Sequence, residues 1–180
     1  GVRLTSTRDR SFAVDVMAAV VFAASCAALF RFTAEDAYIV QRYAKQLVRG
    51  YGLVFNIGER VSALTSPLQT LLLGMLTWLL PWPMTAYKVL GAVTAGGAIL
   101  FAGRRLFATV DERAVFLSAT IASPFVAMWA IGGLETPLLL ACVTVCTALA
   151  LDMGKDSSSA ATLALFFVLT AAAFLHRHDS

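Results

Sequence analysis

Three carboxylates in this sequence lie where polar residues interrupt an otherwise apolar chain. Glu35 and Asp36 are adjacent, and Glu135 occurs much later, within a Gly-Gly-Leu-Glu-Thr-Pro turn. A carboxylate at such a position can act as a general base or help to hold a divalent cation. Arg42 and Tyr43 follow the paired acids by two helical turns, so each can share a helix face with one acid. These five residues form the first group of candidate site residues.

Each candidate also has a structural interpretation that stays open at this point. Thr33 and Asp36 have the spacing of a capping box, in which both side chains serve only to start a helix. Arg42 can form an ordinary surface pair with an acid on its own helix. Glu135 can be a plain turn residue, with Thr136 as the N-cap of the next helix.

Local signals predict the element that positions Asp36. Acids lie in the first turn of a helix predicted over 35–49, where they favour the positive end of the helix dipole. Lys45 and Arg49 fall in its last turns, and Gly50 suits the position just after its end. A turn-rich loop follows, and Pro67 marks the start of the next helix.

Composition identifies the class of protein. Hydrophobic residues make up 59% of the 180 positions and charged residues only 14%, whereas a soluble domain carries roughly a quarter charged. Mean hydropathy is +0.77 and the pI is about 9.0; in a membrane protein such basic residues mainly set orientation, so we predict no nucleic-acid partner. The chain is predicted to be all-α, a polytopic membrane helix bundle of about five spans, at 11–30, 84–103, 114–131, 137–151 and 159–175.

The short apolar segment 64–80 decides the topology. If it crossed the bilayer, Arg104, Arg105 and Arg113 would lie outside, although a short arginine-rich turn strongly prefers the cytoplasm. We therefore predict that 64–80 is an interfacial helix on the outer face and that the N-terminus is cytoplasmic. In this arrangement 33–63 is the first outer loop, carrying an amphipathic helix.

The predicted topology places the candidate residues on one face. The outer loop with Asp36, the turn with Glu135, and the end of the chain with Arg177 and Asp179 all lie outside. If 64–80 crossed the membrane, Glu135 would lie on the face opposite Asp36 and the two acids could not form a joint site.

Several motifs carry a resemblance to a known family. They are Glu-Asp-Ala-Tyr-Ile, Arg-Tyr-Ala, Gly-Leu-Val-Phe-Asn, Gly-Glu-Arg-Val and Thr-Ser-Pro-Leu within 35–68, and Gly-Gly-Leu-Glu-Thr-Pro-Leu at 132–138. In this order they resemble the GT-C superfamily of membrane glycosyltransferases. The resemblance is greatest to the branch that contains the mycobacterial terminal arabinofuranosyltransferases, which use a polyprenyl-phosphate sugar.

The resemblance implies roles for the candidate residues. Asp36 matches the second position of the family's acidic pair and would be the catalytic base; Glu35 stands where an Asp is more usual. Glu135 matches the acid of the second outer turn, which assists the acceptor or holds a divalent cation. The substrate-binding residues implied or suggested are Arg42, Tyr43, Arg177 and Asp179; the last two lie in Arg-His-Asp-Ser, where the family tends to have Arg-Pro-Asp-Gly.

The function implied is inverting transfer of a sugar, arabinofuranose in the most similar branch, from a polyprenyl-phosphate donor to a cell-envelope glycan. It would take place at the outer face of the plasma membrane, with membrane lipid, the lipid-linked donor and the glycan acceptor as partners. Family members are much longer, so residues 1–180 are expected to be one transmembrane domain, the N-terminal portion of a longer protein that needs further C-terminal spans or a partner subunit. The alternative is a catalytically silent assembly or scaffold subunit, or an inactive fragment.

Overall fold

The computed structural model of the protein describes residues 7–59, 66–153 and 159–176. Within these ranges the chain forms eight α-helices and no strand, which confirms the predicted all-α class. The helices are α1 (Thr7–Ala28), α2 (Glu35–Val48), α3 (Pro67–Leu79), α4 (Pro83–Leu106), α5 (Val110–Ile121), α6 (Pro124–Ala130), α7 (Thr136–Met153) and α8 (Ala160–His176).

Three helices among the described residues, α1, α4 and α7, are long and apolar enough to cross a membrane. The pair α5 and α6 would form a fourth span if its two helices are counted together. The apolar helices thus indicate a membrane-associated protein. Helix α8 is apolar but only 17 residues long, shorter than the roughly 20 residues of a typical span. The predicted number of five spans stays a prediction.

The span predicted over 114–131 is not one continuous helix. Helices α5 and α6 meet at an angle of 70°. Pro124 begins α6, and Ser123 before it is extended, with φ −79° and ψ 113°. A proline lacks the backbone N–H that a continuing helix needs and disfavours helical geometry in the preceding residue. The sequence prediction gave no weight to Pro124 and so did not include this break, and the span itself stays a prediction.

Helices α1, α4, α5 and α6 enclose the larger apolar core, which includes Phe22, Ile99, Leu117 and Ile131. A smaller core lies between α2, α3 and α4. Helices α4 and α7 pack along each other, and α8 lies against α7 and α3. Helices α3 and α7 therefore join the larger core mainly through α4.

Charged side chains join the helices at one end of the bundle. The buried carboxylate of Asp15 accepts a hydrogen bond from Arg104 Nε at 2.7 Å, and its other oxygen lies 3.3 Å from Arg113 Nε. A further ion pair links Arg105 to Asp152. The start of α1, the end of α4, the start of α5 and the end of α7 consequently lie together.

Lys88 joins α1 to α4 at the opposite end. Its ammonium, in the first turns of α4, donates to the backbone oxygens of Phe30 and Phe32, just after α1. Helices α1 and α4 are therefore antiparallel. The intervening segment, which contains α2 and α3, leaves the bundle and returns to it at the same end.

Candidate functional site

Helix α2 has the bounds that the sequence predicts, to within one residue. Its C-terminus forms a Schellman motif, in which Gly50 N donates to Leu47 O at 3.0 Å and Tyr51 N donates to Gln46 O at 3.0 Å. Gly50 has a φ of +83°. A left-handed residue here stops the helix and turns the chain into the following loop.

The predicted capping box at the start of α2 is wrong. Ala34 occupies the N-cap position, and no side chain caps the helix. The hydroxyl of Thr33 instead accepts a hydrogen bond from Lys88 Nζ at 3.1 Å. Asp36 therefore has no capping role, and the structural explanation that the sequence offered for this residue does not hold.

The turn that contains Glu135 docks against the start of α2. The backbone N–H of Ala34 donates to Gly132 O at 2.9 Å. From α3, the side chain of Gln69 donates through Nε2 to Gly133 O at 2.7 Å. Two segments far apart in the sequence are thus joined by direct hydrogen bonds, as the joint-site hypothesis requires.

The close approach at this turn explains the glycine at position 133. Gly133 has a φ of +82°, and a Cβ atom there would lie 3.0 Å from Met84 Sδ and 3.1 Å from Ala37 Cβ. A larger residue would be strained in its backbone and crowded by both α2 and α4. The site therefore combines the start of α2, the first turn of α4 and the turn before α7.

The three acids differ in exposure. Glu35 and Asp36 are exposed on the first turn of α2 and form no ion pair with any residue in the described ranges. Glu135 is half-buried. Its backbone oxygen accepts the first helical hydrogen bond of α7, from Leu139 N at 3.0 Å, so it occupies the N-cap position that the sequence assigned to Thr136.

Arg42 is exposed on α2 and contacts the loop that follows the helix. Its Nε donates to Phe55 O at 3.1 Å, and its guanidinium carbon lies 5.7 Å from the centroid of the Phe55 ring. Arg42 makes no ion pair with Glu35 in the described chain. Since a guanidinium has five N–H donors, its Nη groups can still bind a phosphate.

Tyr43 is buried, with 1% of its surface exposed. Its ring lies 6.0 Å from the ring of Phe55, at a tilt of 55°. The structure therefore places Tyr43 in the packing between α2 and its loop. A role in substrate binding stays a prediction.

Two predicted substrate-binding residues, Arg177 and Asp179, lie outside the described residues. Within the described ranges, no group of three or more His, Cys, Asp or Glu residues could hold a metal ion. The structure therefore leaves the predicted divalent cation and these two residues untested.

Sequence reasoning missed two buried polar residues, one in α3 and one in α4. Gln69 and Tyr87 are at most 1% exposed, and Gln69 Oε1 and the Tyr87 hydroxyl have no hydrogen-bond partner among the described residues. The available signal was the presence of polar side chains in the first turns of two apolar helices.

Comparison of the chain with protein-family models, curated proteins and solved structures finds no significant match.

Proposed function

We propose that the protein is a membrane glycosyltransferase of the GT-C type, which transfers a sugar from a polyprenyl-phosphate donor to a glycan acceptor. The observation that carries the proposal is the docking of the Gly132–Glu135 turn on the start of α2, through the hydrogen bond from Ala34 to Gly132. It brings together the two segments whose sequences resemble the family.

In the proposed reaction Asp36 takes the proton from the acceptor hydroxyl. The hydroxyl oxygen then forms a bond to the anomeric carbon of the sugar as the bond from that carbon to the phosphate oxygen breaks. The electron pair leaves with the polyprenyl phosphate, and attack from the opposite side inverts the anomeric configuration. Arg42 would stabilise the departing phosphate through its Nη groups, and Glu135 would orient the acceptor.

Two features of Asp36 support its role as the base. Asp36 is exposed and has no capping function, so its carboxylate is available to a substrate. It also lies in the first turn of α2, at the edge of the apolar bundle, where a lipid-linked donor and a water-soluble acceptor can meet.

The path of the chain supports the predicted topology. Helix α3 has 13 residues, which gives a length of about 20 Å against the roughly 30 Å of a hydrocarbon core. The segment between α1 and α4 also returns to the end from which it leaves. An interfacial α3 would place both acidic segments on one face, with the arginine-rich end of the bundle in the cytoplasm.

The rate of sugar transfer by the Asp36→Asn variant tests the assignment of Asp36 as the catalytic base. We expect this variant of the full-length protein, reconstituted in liposomes with a polyprenyl-phosphate sugar and an acceptor glycan, to lose about 10²- to 10⁴-fold in turnover, as removal of a general base does. Glu59→Gln is the matched control, because Glu59 is an exposed acid after α2 whose described partner is Asn56. Turnover by Asp36→Asn equal to that of the control would refute the assignment.

A further inference from the structure

We propose that Lys88 is a positioning residue that fixes the acidic start of α2 relative to α4. The proposal concerns geometry and can be tested without any transfer reaction. Its kinetic consequence alone rests on the proposed function.

The ammonium of Lys88 makes three directed contacts. It donates to Phe30 O at 2.5 Å, to Phe32 O at 2.7 Å and to Thr33 Oγ1 at 3.1 Å. The ring of Phe30 also lies beneath it, with the nitrogen 4.7 Å from the ring centroid. All three acceptors belong to the short connection between α1 and α2.

These contacts use the full hydrogen-bonding capacity of the side chain. A protonated lysine has three N–H donors and no acceptor, and all three donors have partners here. Lys88 is also only 5% exposed. It cannot bind a phosphate unless it releases the connection, so its role differs from that proposed for Arg42.

Packing alone does not explain a lysine at this position. Lys88 forms no ion pair with any carboxylate in the described chain, and a buried charge without a counter-ion is costly. A methionine would fill similar space without that cost. What the lysine adds is three bonds with defined directions, which hold the connection in one conformation.

The connection leads directly into the site. Thr33, held by Lys88, is followed by Ala34, whose N–H is held by Gly132. Glu35 and Asp36 are the next two residues. Two consecutive residues are thus fixed by hydrogen bonds, Thr33 from α4 and Ala34 from the Gly132–Glu135 turn. These bonds set the position and direction of the first turn of α2, which carries the two acids.

The first test is Lys88→Met in nanodiscs, with a spin label on a cysteine at position 38 or at position 93. Tyr38 is 58% exposed, one turn into α2, and Val93 is 67% exposed on α4. We expect the label at 38 to become more mobile and the label at 93 to be unchanged. The matched control is Lys45→Met, which removes an exposed lysine of α2 and should change neither label.

Three outcomes would overturn the proposal: no change at 38, an equal rise at both positions, or an equal effect of Lys45→Met. If Lys88→Met does not fold, Thr33→Val decides the matter, because it removes only one of the three acceptors. This variant should still raise the mobility of the label at 38 and leave the label at 93 unchanged. No change at 38 would likewise refute the positioning role of Lys88.

The kinetic test follows from the same geometry. Displacement of a catalytic group by about 1 Å can cost about a hundredfold in rate, so Lys88→Met should lower kcat by this order and leave the KM for the donor nearly unchanged. A raised KM with unchanged kcat would contradict positioning. If the full-length wild-type protein shows no transfer but the label at 38 responds, the proposed function fails and the positioning role stands.

Discussion

Replacing Asp15 by asparagine is expected to destabilise the bundle strongly. Asp15 is 4% exposed and lies between two arginines, with Arg104 Nε at 2.7 Å and Arg113 Nε at 3.3 Å. Asparagine keeps the shape but removes the charge. The side chain of Arg113, 10% exposed, then stays buried without a counter-ion.

The size of the effect follows from the burial of each partner. Breaking a buried ion pair from one side costs about 3–5 kcal/mol, and we expect about 3 kcal/mol for Asp15→Asn because Arg113 still donates to Ser11 O at 2.9 Å. The side chain of Arg104 is 60% exposed. Arg104→Met should therefore cost less than about 1 kcal/mol, as exposed pairs do.

The assay is reversible unfolding in mixed detergent micelles, followed by far-ultraviolet circular dichroism. Arg10→Met is the control, because Arg10 and its partner Asp111 are both largely exposed. The reasoning would be refuted if Asp15→Asn cost no more than Arg10→Met, or if Arg104→Met cost as much as Asp15→Asn.

Three further substitutions, the first with a matched control, test the packing of α2 and α4. Gly91→Ala should lower the free energy of unfolding by about 2 kcal/mol, because the added Cβ would clash with the backbone oxygen of Ala130. The control is Gly97→Ala, which has open space around it and should leave the free energy of unfolding unchanged. Equal free energies of unfolding for the two variants would contradict the close approach of α4 and α6. Gly50→Ala should weaken the end of α2 by about 1 kcal/mol because of its positive φ, which amide hydrogen exchange near residue 48 would report; unchanged exchange would argue against the Schellman motif. Arg42→Met should release the loop at 51–59 and speed its proteolysis, and an unchanged cleavage rate would show that Arg42 does not hold the loop.

Helix α2 could be predicted because the signals that define it are local. Its last turn and Gly50 form a motif of six consecutive residues, which a sequence displays completely. The start could not be predicted in the same way. Thr33 has the spacing of a capping residue, but its hydroxyl is bound by Lys88, which lies 55 residues away. A tertiary contact replaced the local one.

The same distinction applies to the rest of the chain. The break before Pro124 was visible in the sequence, as was the capping box that Thr109 and Glu112 form at the start of α5; both are local signals that the prediction did not use. The burial of Gln69 and its bond to Gly133 depend on how α3 meets a turn 64 residues later. No pattern within α3 specifies that partner.

The shared face of the two acidic segments is tested most directly by labelling from outside. Single cysteines replace Tyr38, Thr136 or Ala108, all exposed, in a background without the three native cysteines. An impermeant maleimide should label 38 and 136 in intact cells and reach 108 only after permeabilisation. Labelling of 38 together with 108, but not with 136, would place Glu135 and Asp36 on opposite faces and contradict a joint site.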